Sequence, residues 1–409
     1  MDKSKIREVV EETVRRTAIT DIHTHTFDPA MGGLLLWGID ELLTYHYLVA
    51  EVFRARPDMA YSDFMSMAKP AQADIIWDEL FVKRSPVSEA CRGVVTVLHS
   101  LGLDTGSRDL RAYRAYFSGQ NVRDYVERVF ETAGIRKVYM TNDPMDPAEG
   151  PLWEKGFDRD SRFLGVLRLD SALINWPEGA ARLQRMGYRV DSSLSGSTIK
   201  ELRRYLNEWC DKIDARYMAI SMPPEFRYPD VESSLTTLMI KAVVPVARER
   251  NIPVAMMIGV RKLVNPELTL AGDSVGCADV ATVEALARDF GDVRFMVTML
   301  ARENMHALCV AARKFKNMLP FGCWWFLNNP SLVREITAMR LELLGLSCIP
   351  QHSDSRVLDQ LIYKWTHSRQ IIGEVLGGKY ADLARSGWVA SRQEIERDVN
   401  LLFDGRSIE

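Results

Sequence analysis

Residues 18–25 read Ala-Ile-Thr-Asp-Ile-His-Thr-His, and this stretch decides the predicted fold. An apolar, β-branched run of this length is typical of a short buried strand. Side chains two residues apart on a strand point the same way, so His23 and His25 can direct both imidazoles to one point. Imidazole suits zinc and other first-row divalent metals, and Asp21 on the same face can orient a ligand from behind. The alternative is a pair of hydrogen-bonded histidines without a metal.

The composition is that of an ordinary soluble protein of enzyme size. The chain has 409 residues, of which 47% are hydrophobic and 26% charged, and its net charge is −3. These values argue against disorder and against a nucleic-acid partner. No stretch approaches the roughly 18 apolar residues of a membrane span. The charged N-terminal segment lacks the apolar run of a signal peptide, and the cysteines form no C-x-x-C pair. We therefore expect a cytoplasmic protein with no membrane partner.

The hydrophobic patterning divides the chain into three parts. Residues 1–26 are predicted to form an N-terminal helix and the first strand, because apolar residues recur at helical spacing before residue 17. Residues 27–129 show helical periodicity with few strand-like runs, which predicts a mostly helical insertion after the first strand. Over residues 130–409, short β-branched runs alternate with helix-like segments. This last part is predicted to supply the remaining strands and the C-terminal helices.

Eight strands in all are predicted, with helices between most of them. Several strands are nearly continuous in apolar residues, as expected of parallel strands covered on both faces. The pattern favours an α/β fold of the (β/α)8 TIM-barrel type, with its chemistry at the carboxyl ends of the strands. A doubly wound open sheet is the alternative, although the glycine-rich phosphate loops that would favour it do not occur. The seven strands after the first are predicted at 137–141, 163–167, 217–221, 252–258, 293–298, 319–323 and 346–351.

A carboxylate after the last predicted strand can complete the metal site. Residues 351–356 read Gln-His-Ser-Asp-Ser-Arg, and strand eight of a barrel closes against strand one. Asp354 can therefore join the two histidines as a third ligand and leave positions open for water or substrate. The alternative role of Asp354 is to cap the following helix, which a neighbouring serine can also do.

Two arginines at strand ends indicate an anionic substrate. Arg356 follows Asp354 by two residues, and Arg168 directly follows the third predicted strand. A guanidinium near a metal suits a carboxylate or a developing oxyanion through paired hydrogen bonds. The alternative for Arg356 is a surface salt bridge.

Histidine and aromatic residues at two further places are candidate pocket residues. His46 and Tyr47 lie early in the predicted insertion, where a core position is the alternative. Proximity to the metal would make either one a proton-transfer group. Trp324 and Trp325 leave the seventh predicted strand side by side. Because successive strand residues face opposite ways, one indole can line the pocket while the other packs outside.

These motifs together resemble the uronate isomerase family, a branch of the metal-dependent amidohydrolase superfamily, in a divergent form. The resemblance covers almost the full chain and keeps its order. The matching segments are Thr-Asp-Ile-His-Thr-His at 20–25, His-Tyr at 46–47, Thr-Asn-Asp-Pro-Met-Asp at 141–146, Leu-Arg-Leu-Asp at 167–170, Met-Ile-Gly-Val at 257–260, Gly-Asp-Ser at 272–274, Gly-Cys-Trp-Trp-Phe at 322–326 and Ser-Asp-Ser-Arg at 353–356.

The resemblance implies a barrel that interconverts an aldose acid, such as glucuronate or galacturonate, and its ketose partner. A proton would pass between C1 and C2 through an enediolate, with Asp354 and Tyr47 as the alternative carriers. A homo-oligomer is compatible with a barrel of this size. One divalent metal ion, typically zinc, is expected on His23, His25 and Asp354. Substrate contacts are expected from Arg168, Arg356, His46 and a tryptophan of the pair Trp324 and Trp325, and catalytic roles from Asp354, Tyr47, His46 and Arg356.

The chain departs from the family pattern beside the metal site. Met257 stands where the family usually shows a histidine, and a thioether cannot move a proton at neutral pH. Met-Pro-Pro at 222–224 replaces an Asp-His pair, and Arg261 and Lys262 stand near the position of a family arginine. A two-metal site is not expected. The alternatives are a mononuclear metal-dependent hydrolase or decarboxylase of a carboxylated substrate, and a barrel that binds a sugar acid without turnover.

Overall fold

A curled parallel sheet organises the protein. The computed structural model describes residues 5–405, which form nine strands. These are β1 (Ile19–Thr24), β2 (Ile135–Asn142), β3 (Phe163–Arg168), β4 (Met218–Met222), β5 (Val254–Ile258), β6 (Val260–Arg261), β7 (Ser274–Val275), β8 (Phe295–Met299) and β9 (Met318–Pro320). Seven of them form one parallel sheet in the order β1-β2-β3-β4-β5-β8-β9, and β6 pairs with β7 in an antiparallel arrangement.

Helices connect the strands and cover the outer face of the sheet. None of those in the described part of the chain combines the length and apolar character needed to cross a membrane. The α-helices are α1 (Ile6–Arg16), α2 (Ile39–Leu43), α3 (His46–Ala55), α4 (Tyr61–Met65), α5 (Lys69–Trp77), α6 (Glu89–Ser100), α7 (Leu110–Ser118), α8 (Val122–Ala133), α9 (Gly150–Lys155), α10 (Asp170–Leu173), α11 (Trp176–Arg185), α12 (Thr198–Ile213), α13 (Ser234–Leu238), α14 (Val244–Arg250), α15 (Val280–Asp289), α16 (Met305–Ala312), α17 (Pro330–Leu344), α18 (Gln360–Arg385) and α19 (Arg392–Phe403).

The two faces of the sheet bury two separate apolar clusters. Every residue of β5 and β8 is buried, as their continuous apolar sequences require of strands covered on both faces. Because side chains alternate along a strand, Met256 joins the large cluster between sheet and helices while Met257 faces the opposite side. The inner cluster also includes Tyr139 on β2 and Tyr217 before β4. The curl of the sheet therefore encloses an interior, at one end of which the predicted site residues lie.

Six of the strands predicted after the first overlap observed strands, but the strand predicted at 346–351 is not formed. This segment makes one bridge, between Phe321 and Ile349, in place of a ladder. Ile349 exchanges backbone hydrogen bonds with Pro320 and Gly322 at 3.1 and 2.9 Å. The carbonyls of Ile349 and Pro350 also accept hydrogen bonds from the buried guanidinium of Arg340 on α17, at 3.2 and 3.5 Å. The observed sheet is therefore a curled parallel sheet of seven strands.

The chain between β1 and β2 carries α2 to α8. Of these helices, α6 and α8 pack against the long helix α18, and α3 contacts the 3₁₀ turn Pro266–Gly272 that follows β6. Residues of this turn and of α3 together line one pocket. The N-terminal helix is observed from Ile6, and the first four residues of its predicted range lie outside the described residues. The division into three parts at residues 26 and 129 remains a prediction.

Candidate metal centre and substrate pocket

Three side chains from opposite ends of the chain converge on one point. His23 and His25 lie on β1, and Asp354 lies beyond the segment that pairs with Phe321. The Oδ1 atom of Asp354 lies 3.3 Å from Nε2 of His25 and 3.8 Å from Nε2 of His23. In the described part of the chain, this is the one group of three or more histidine, cysteine, aspartate or glutamate residues whose ligand atoms lie close enough to hold a metal ion. The same-face arrangement predicted for the two histidines is confirmed.

The spacing of the ligand atoms fits a divalent metal ion. A tetrahedral ion with bonds of about 2.0–2.1 Å holds its ligand atoms about 3.3–3.4 Å apart. The two separations from Asp354 lie at and slightly above this value. Two imidazoles and one carboxylate are a ligand set that zinc accepts, with a further position left for water or substrate. The three residues can therefore hold a metal ion.

Both histidines are held in the neutral form that binds metals. Burial, reinforced by the neighbouring His25, lowers the pKa of His23 to about 3. Burial, and then the positive charges of Arg356 and Arg168, keep the pKa of His25 well below its ordinary value. A neutral imidazole presents a nitrogen lone pair, so neither side chain must lose a proton before it ligates.

A tyrosine sets the tautomer of His23. The hydroxyl of Tyr217 donates to the carbonyl of Ile22 at 2.7 Å and lies 3.0 Å from Nδ1 of His23. Because the hydroxyl has a single hydrogen, it accepts from Nδ1–H of the histidine. The lone pair of His23 is then on Nε2, the atom that faces Asp354. Tyr217 therefore orients a metal ligand through its other ring nitrogen.

Removing the Tyr217 hydroxyl is expected to weaken metal binding. Tyr217→Phe takes away the acceptor for Nδ1–H, and the loss of such a partner costs about 10- to 100-fold in metal affinity. Competition with a chromogenic zinc chelator measures the change. Tyr205→Phe is the matched control, since its buried hydroxyl has no hydrogen-bond partner among the described residues. An unchanged zinc affinity in the Tyr217 variant would contradict the assigned role.

Asp21 lies beneath the ligands but bonds to backbone and indole groups, not to an imidazole. Its Oδ1 accepts from the backbone N–H of Ser353 at 3.0 Å, and its Oδ2 accepts from the indole of Trp365 at 2.8 Å. Burial raises the pKa of this carboxyl to about 6, although both hydrogen bonds act in the opposite direction. Asp21 thus ties the residue before Asp354 to β1. Its bond to the backbone beside Asp354 is a contact through which Asp21 can orient that ligand.

The ligand atoms open into a pocket at the carboxyl ends of the strands. Strand ends, the start of α3 and the segment after β9 all contribute to it. The lining residues are His23, His25, Tyr45, His46, Thr141, Arg168, Asp170, Ala219, Ser221, Met257, Val260, Lys262, Trp324, Trp325, Asp354 and Arg356.

Arg168 is held rigidly at its place in the pocket. Its Nε and Nη2 both donate to Oδ2 of Asp170, at 3.0 and 2.7 Å. The other oxygen of Asp170 accepts from the backbone N–H of Ser221 at 2.9 Å. The charge of Asp170 is also the largest influence that raises the pKa of Arg168. This arginine therefore presents a fixed positive charge with only part of its donor capacity free.

The other two cations of the pocket differ in their pairing. Arg356 makes no ion pair with any carboxylate of the described chain, and its backbone N–H donates to Gln360 at 3.0 Å. Lys262 donates to the buried carboxylate of Asp273 at 2.7 Å and lies 5.7 Å from the ring centre of Trp325. Arg356 is thus the pocket cation most free to bind an incoming carboxylate.

His46 and both tryptophans line the pocket, whereas Tyr47 packs behind its wall. The ring of Tyr47 lies 4.5 Å from that of His46. Trp325 adopts φ = 47°, and this left-handed turn breaks the alternation of strand side chains. As a result both indoles face the pocket, which differs from the expectation that one packs outside. The ring nitrogens of His46 and Trp325 are buried without a hydrogen-bond partner among the described residues.

One wall of the pocket is apolar. Met257 stands at the end of β5 with Ala219 and Val260 as its neighbours in the pocket lining. Met222, at the other departure from the family pattern, is buried in the outer cluster instead. Met257 is therefore part of the pocket wall, whereas Met222 contributes to packing in the outer cluster.

Two residues important to this geometry were not identified from the sequence. Tyr217 begins the fourth predicted strand, and its spacing of two from Ala219 places both on the inner face. Because side chains alternate along a strand, counting back in steps of two from a pocket residue at the strand end would have identified Tyr217. Asp170 lies inside a quoted motif, but its pairing with Arg168 depends on a turn after β3 that local patterns do not show.

Comparisons with solved structures identify relatives over the whole chain. A uronate isomerase from Bacillus halodurans is 49% identical with a TM-score of 0.97, over 100% of this chain and 97% of that one. A uronate isomerase from Thermotoga maritima is 14% identical with a TM-score of 0.79, over 99% and 97% of the two chains. A glucuronate isomerase from Caulobacter crescentus is 14% identical with a TM-score of 0.76, over 99% and 94%.

These similarities differ in what they establish. Searches against family models and against curated proteins each find no match. The two relatives at 14% identity share the fold. The relative at 49% identity, matched from end to end, shares the family as well. The chain therefore belongs to the uronate isomerase family.

Proposed function

We propose that the protein interconverts an aldose hexuronate, of the glucuronate or galacturonate type, and the corresponding ketose acid. The full-length similarity to the Bacillus halodurans uronate isomerase carries this proposal. The pocket supports it, because a group suited to a metal and the unpaired Arg356 line the same cavity. We further propose that His23, His25 and Asp354 hold one divalent ion and that this ion is zinc.

We also propose that the segment after α17 completes a (β/α)8 barrel. It bonds to β9 through Ile349 and to β1 through the backbone N–H of Asp354, which donates to the carbonyl of His23 at 3.1 Å. Ile349 is part of the inner apolar cluster. These contacts are those of an eighth strand position between the last and first strands.

Substrate binding would begin with the carboxylate of the sugar acid. The guanidinium of Arg356 can take this carboxylate through two parallel hydrogen bonds. The buried, unpaired ring nitrogens of His46 and Trp325 would find partners in the hydroxyl groups of an open-chain sugar. The apolar wall at Met257 excludes water from the opposite side of the substrate.

The proton transfer would be carried by Asp354. When bound, a divalent ion supplies Lewis-acid polarisation of the C1 and C2 oxygens. The carboxylate of Asp354 would take the proton from C2 of the aldose and return it to C1, while the proton of the C2 hydroxyl passes to the C1 oxygen, leaving a hydroxyl at C1 and a carbonyl at C2. Arg168, fixed by Asp170, would stabilise the negative charge that develops on the enediolate oxygens. Asp354 is favoured over Tyr47 because Asp354 lines the pocket and Tyr47 lies behind its wall.

The location and the assembly of the protein remain predictions. A cytoplasmic enzyme acting on a free sugar acid agrees with the charge and cysteine pattern of the sequence. Self-association is compatible with the size of the barrel. Cell fractionation and size-exclusion chromatography with light scattering measure these two properties directly.

Zinc-loaded protein in D₂O is expected to convert glucuronate or galacturonate to a ketose acid, with deuterium entering C2 of the recovered aldose. Proton NMR follows both the appearance of the ketose and the loss of the C2 proton signal. Chelator-treated protein is the control and should do neither. Lactone hydrolysis or decarboxylation without exchange would instead favour a mononuclear hydrolase or decarboxylase. Inactivity in all three assays, together with thermal stabilisation by hexuronates, would favour a non-catalytic binding protein.

A further inference from the structure

A buried lysine on α18 lies directly behind the metal centre. Lys364 is 4% exposed, and no carboxylate of the described chain lies within ion-pair distance of its ammonium group. A buried ammonium without a paired carboxylate is costly, so its other partners must compensate. Those partners are backbone carbonyls of the segment that carries Asp354.

The ammonium group of Lys364 donates hydrogen bonds to the metal ligand Asp354 and to the residue before it. Nζ of Lys364 donates to the carbonyl of Ser353 at 2.6 Å and to that of Asp354 at 3.4 Å. From the opposite side, the N–H of Ser353 donates to Asp21 and the N–H of Asp354 donates to His23. The peptide unit before the ligand's α-carbon is thus held at both its N–H and C=O groups. In the unit after it, Lys364 holds the C=O group and the N–H of Ser355 donates to Oγ of Ser353 at 3.2 Å.

The backbone conformation of Asp354 explains why these hydrogen bonds are needed. Asp354 adopts φ = 54°, in the left-handed region that non-glycine residues seldom occupy. A non-glycine residue persists in this region only where the surrounding structure holds it there. The backbone does so in part: the N–H of Asp354 donates to the His23 carbonyl at 3.1 Å, and the N–H of His25 donates to the Ser355 carbonyl at 2.7 Å. The carbonyls of residues 353 and 354 are held by the Lys364 side chain.

We propose that Lys364 is a positioning residue for the metal site: it holds residues 353 and 354 in the conformation that directs Oδ1 of Asp354 at the two histidine nitrogens. The inference rests on the proposed metal site but not on the isomerisation itself. Lys364 is not a pocket-lining residue and acts on the site through Asp354.

A second buried cation provides a matched comparison. Arg340 on α17 is 1% exposed and donates to the carbonyls of Gly322 and Ile349, at 2.8 and 3.2 Å. It therefore satisfies one carbonyl of the turn after β9 and one carbonyl of the segment that leads to Asp354, upstream of the metal ligand. Replacing Arg340 should disturb the closure of the sheet without changing the backbone at Asp354. Comparing variants of Lys364 and Arg340 therefore distinguishes positioning of the metal ligand from a general contribution to stability.

The test compares zinc dissociation constants of the full-length variants Lys364→Met and Arg340→Met. Methionine keeps the length of the lysine and removes its donors, and the Ser353 carbonyl keeps a hydrogen bond from Asn328 at 3.1 Å. Competition with a chromogenic chelator, below the unfolding temperature of each variant, gives the constants. Lys364→Met is expected to bind zinc at least 10-fold more weakly than wild type. Arg340→Met is expected to unfold at a lower temperature but to bind zinc within threefold of wild type.

Crystal structures of the metal-free variants give a second readout that does not depend on turnover. Asp354 is expected to leave the left-handed conformation in Lys364→Met and to keep it in Arg340→Met. Folded Lys364→Met that binds zinc within threefold of wild type would overturn the inference and leave the proposed function standing. Wild-type protein that binds no zinc or other divalent ion would overturn both. If Lys364→Met does not fold, Lys364→Gln replaces it under the same criteria.

Discussion

Asp354→Asn is expected to lower kcat/KM for hexuronate isomerisation by about 10²- to 10⁴-fold, the range expected for loss of a general acid–base group. The same change removes the one anionic ligand of the metal group, so zinc should no longer co-purify in stoichiometric amount. The effect is large because one side chain would serve both roles. Steady-state kinetics and elemental analysis of the purified variant measure it.

The control for this variant is a carboxylate far from the pocket. Asp289 makes an exposed pair with Arg288 at 2.8 Å, and Asp289→Asn should leave activity and metal content unchanged. Asp354→Asn that keeps its zinc but loses turnover would show that the carboxylate acts in proton transfer more than in ligation. Retention of more than a tenth of the wild-type kcat/KM would exclude Asp354 as the proton carrier.

Arg356→Met is expected to produce the second large effect, a fall in kcat/KM of about 10²- to 10³-fold. Truncating one partner of a buried, hydrogen-bonded charge pair costs about 2–5 kcal/mol, and each 1.4 kcal/mol is tenfold. Because Arg356 has no carboxylate partner within the described chain, its interaction energy is available to the substrate. Most of the change should therefore appear as a higher KM.

Two comparisons make this prediction specific. Arg302→Met removes a surface arginine that pairs with Glu335 at 3.1 Å, and its kinetics should match wild type. A neutral analogue in which the hexuronate carboxylate is reduced to an alcohol should lose affinity for wild type but not for Arg356→Met. Equal discrimination between acid and alcohol by both enzymes would show that another cation, such as Lys262, binds the carboxylate.

The local sequence was sufficient for seven of the eight predicted strands and for four members of the candidate site. The spacing of His23 and His25 places both rings on one face of any strand, whatever surrounds it. Asp354 could be added because a barrel closes its last strand against its first. Arg168 was found for a similar reason, since it follows directly on an apolar strand. Each of these inferences depends on periodicity or order along the chain.

Other features depend on contacts between distant residues. The segment 346–351 is apolar enough to be predicted as a strand, but the carbonyls of Ile349 and Pro350 accept hydrogen bonds from the Arg340 side chain of α17. Both indoles face the pocket because Trp325 turns into the left-handed region, which its sequence context does not signal. Asp21 was expected to orient a metal ligand, but its partners, the N–H of Ser353 and the indole of Trp365, could not be read from the sequence.

By itself, then, the sequence determined which residues can ligate a metal and on which face of β1 they lie, because side-chain direction along a strand alternates with a period of two. Only the tertiary structure decided how the carboxylate of Asp354 is brought to them and held. That depends on Asp21 and Lys364, whose bonds to the 353–354 segment join different elements of the fold. Such contacts follow from the curl of the sheet and the docking of α18, which no local pattern encodes.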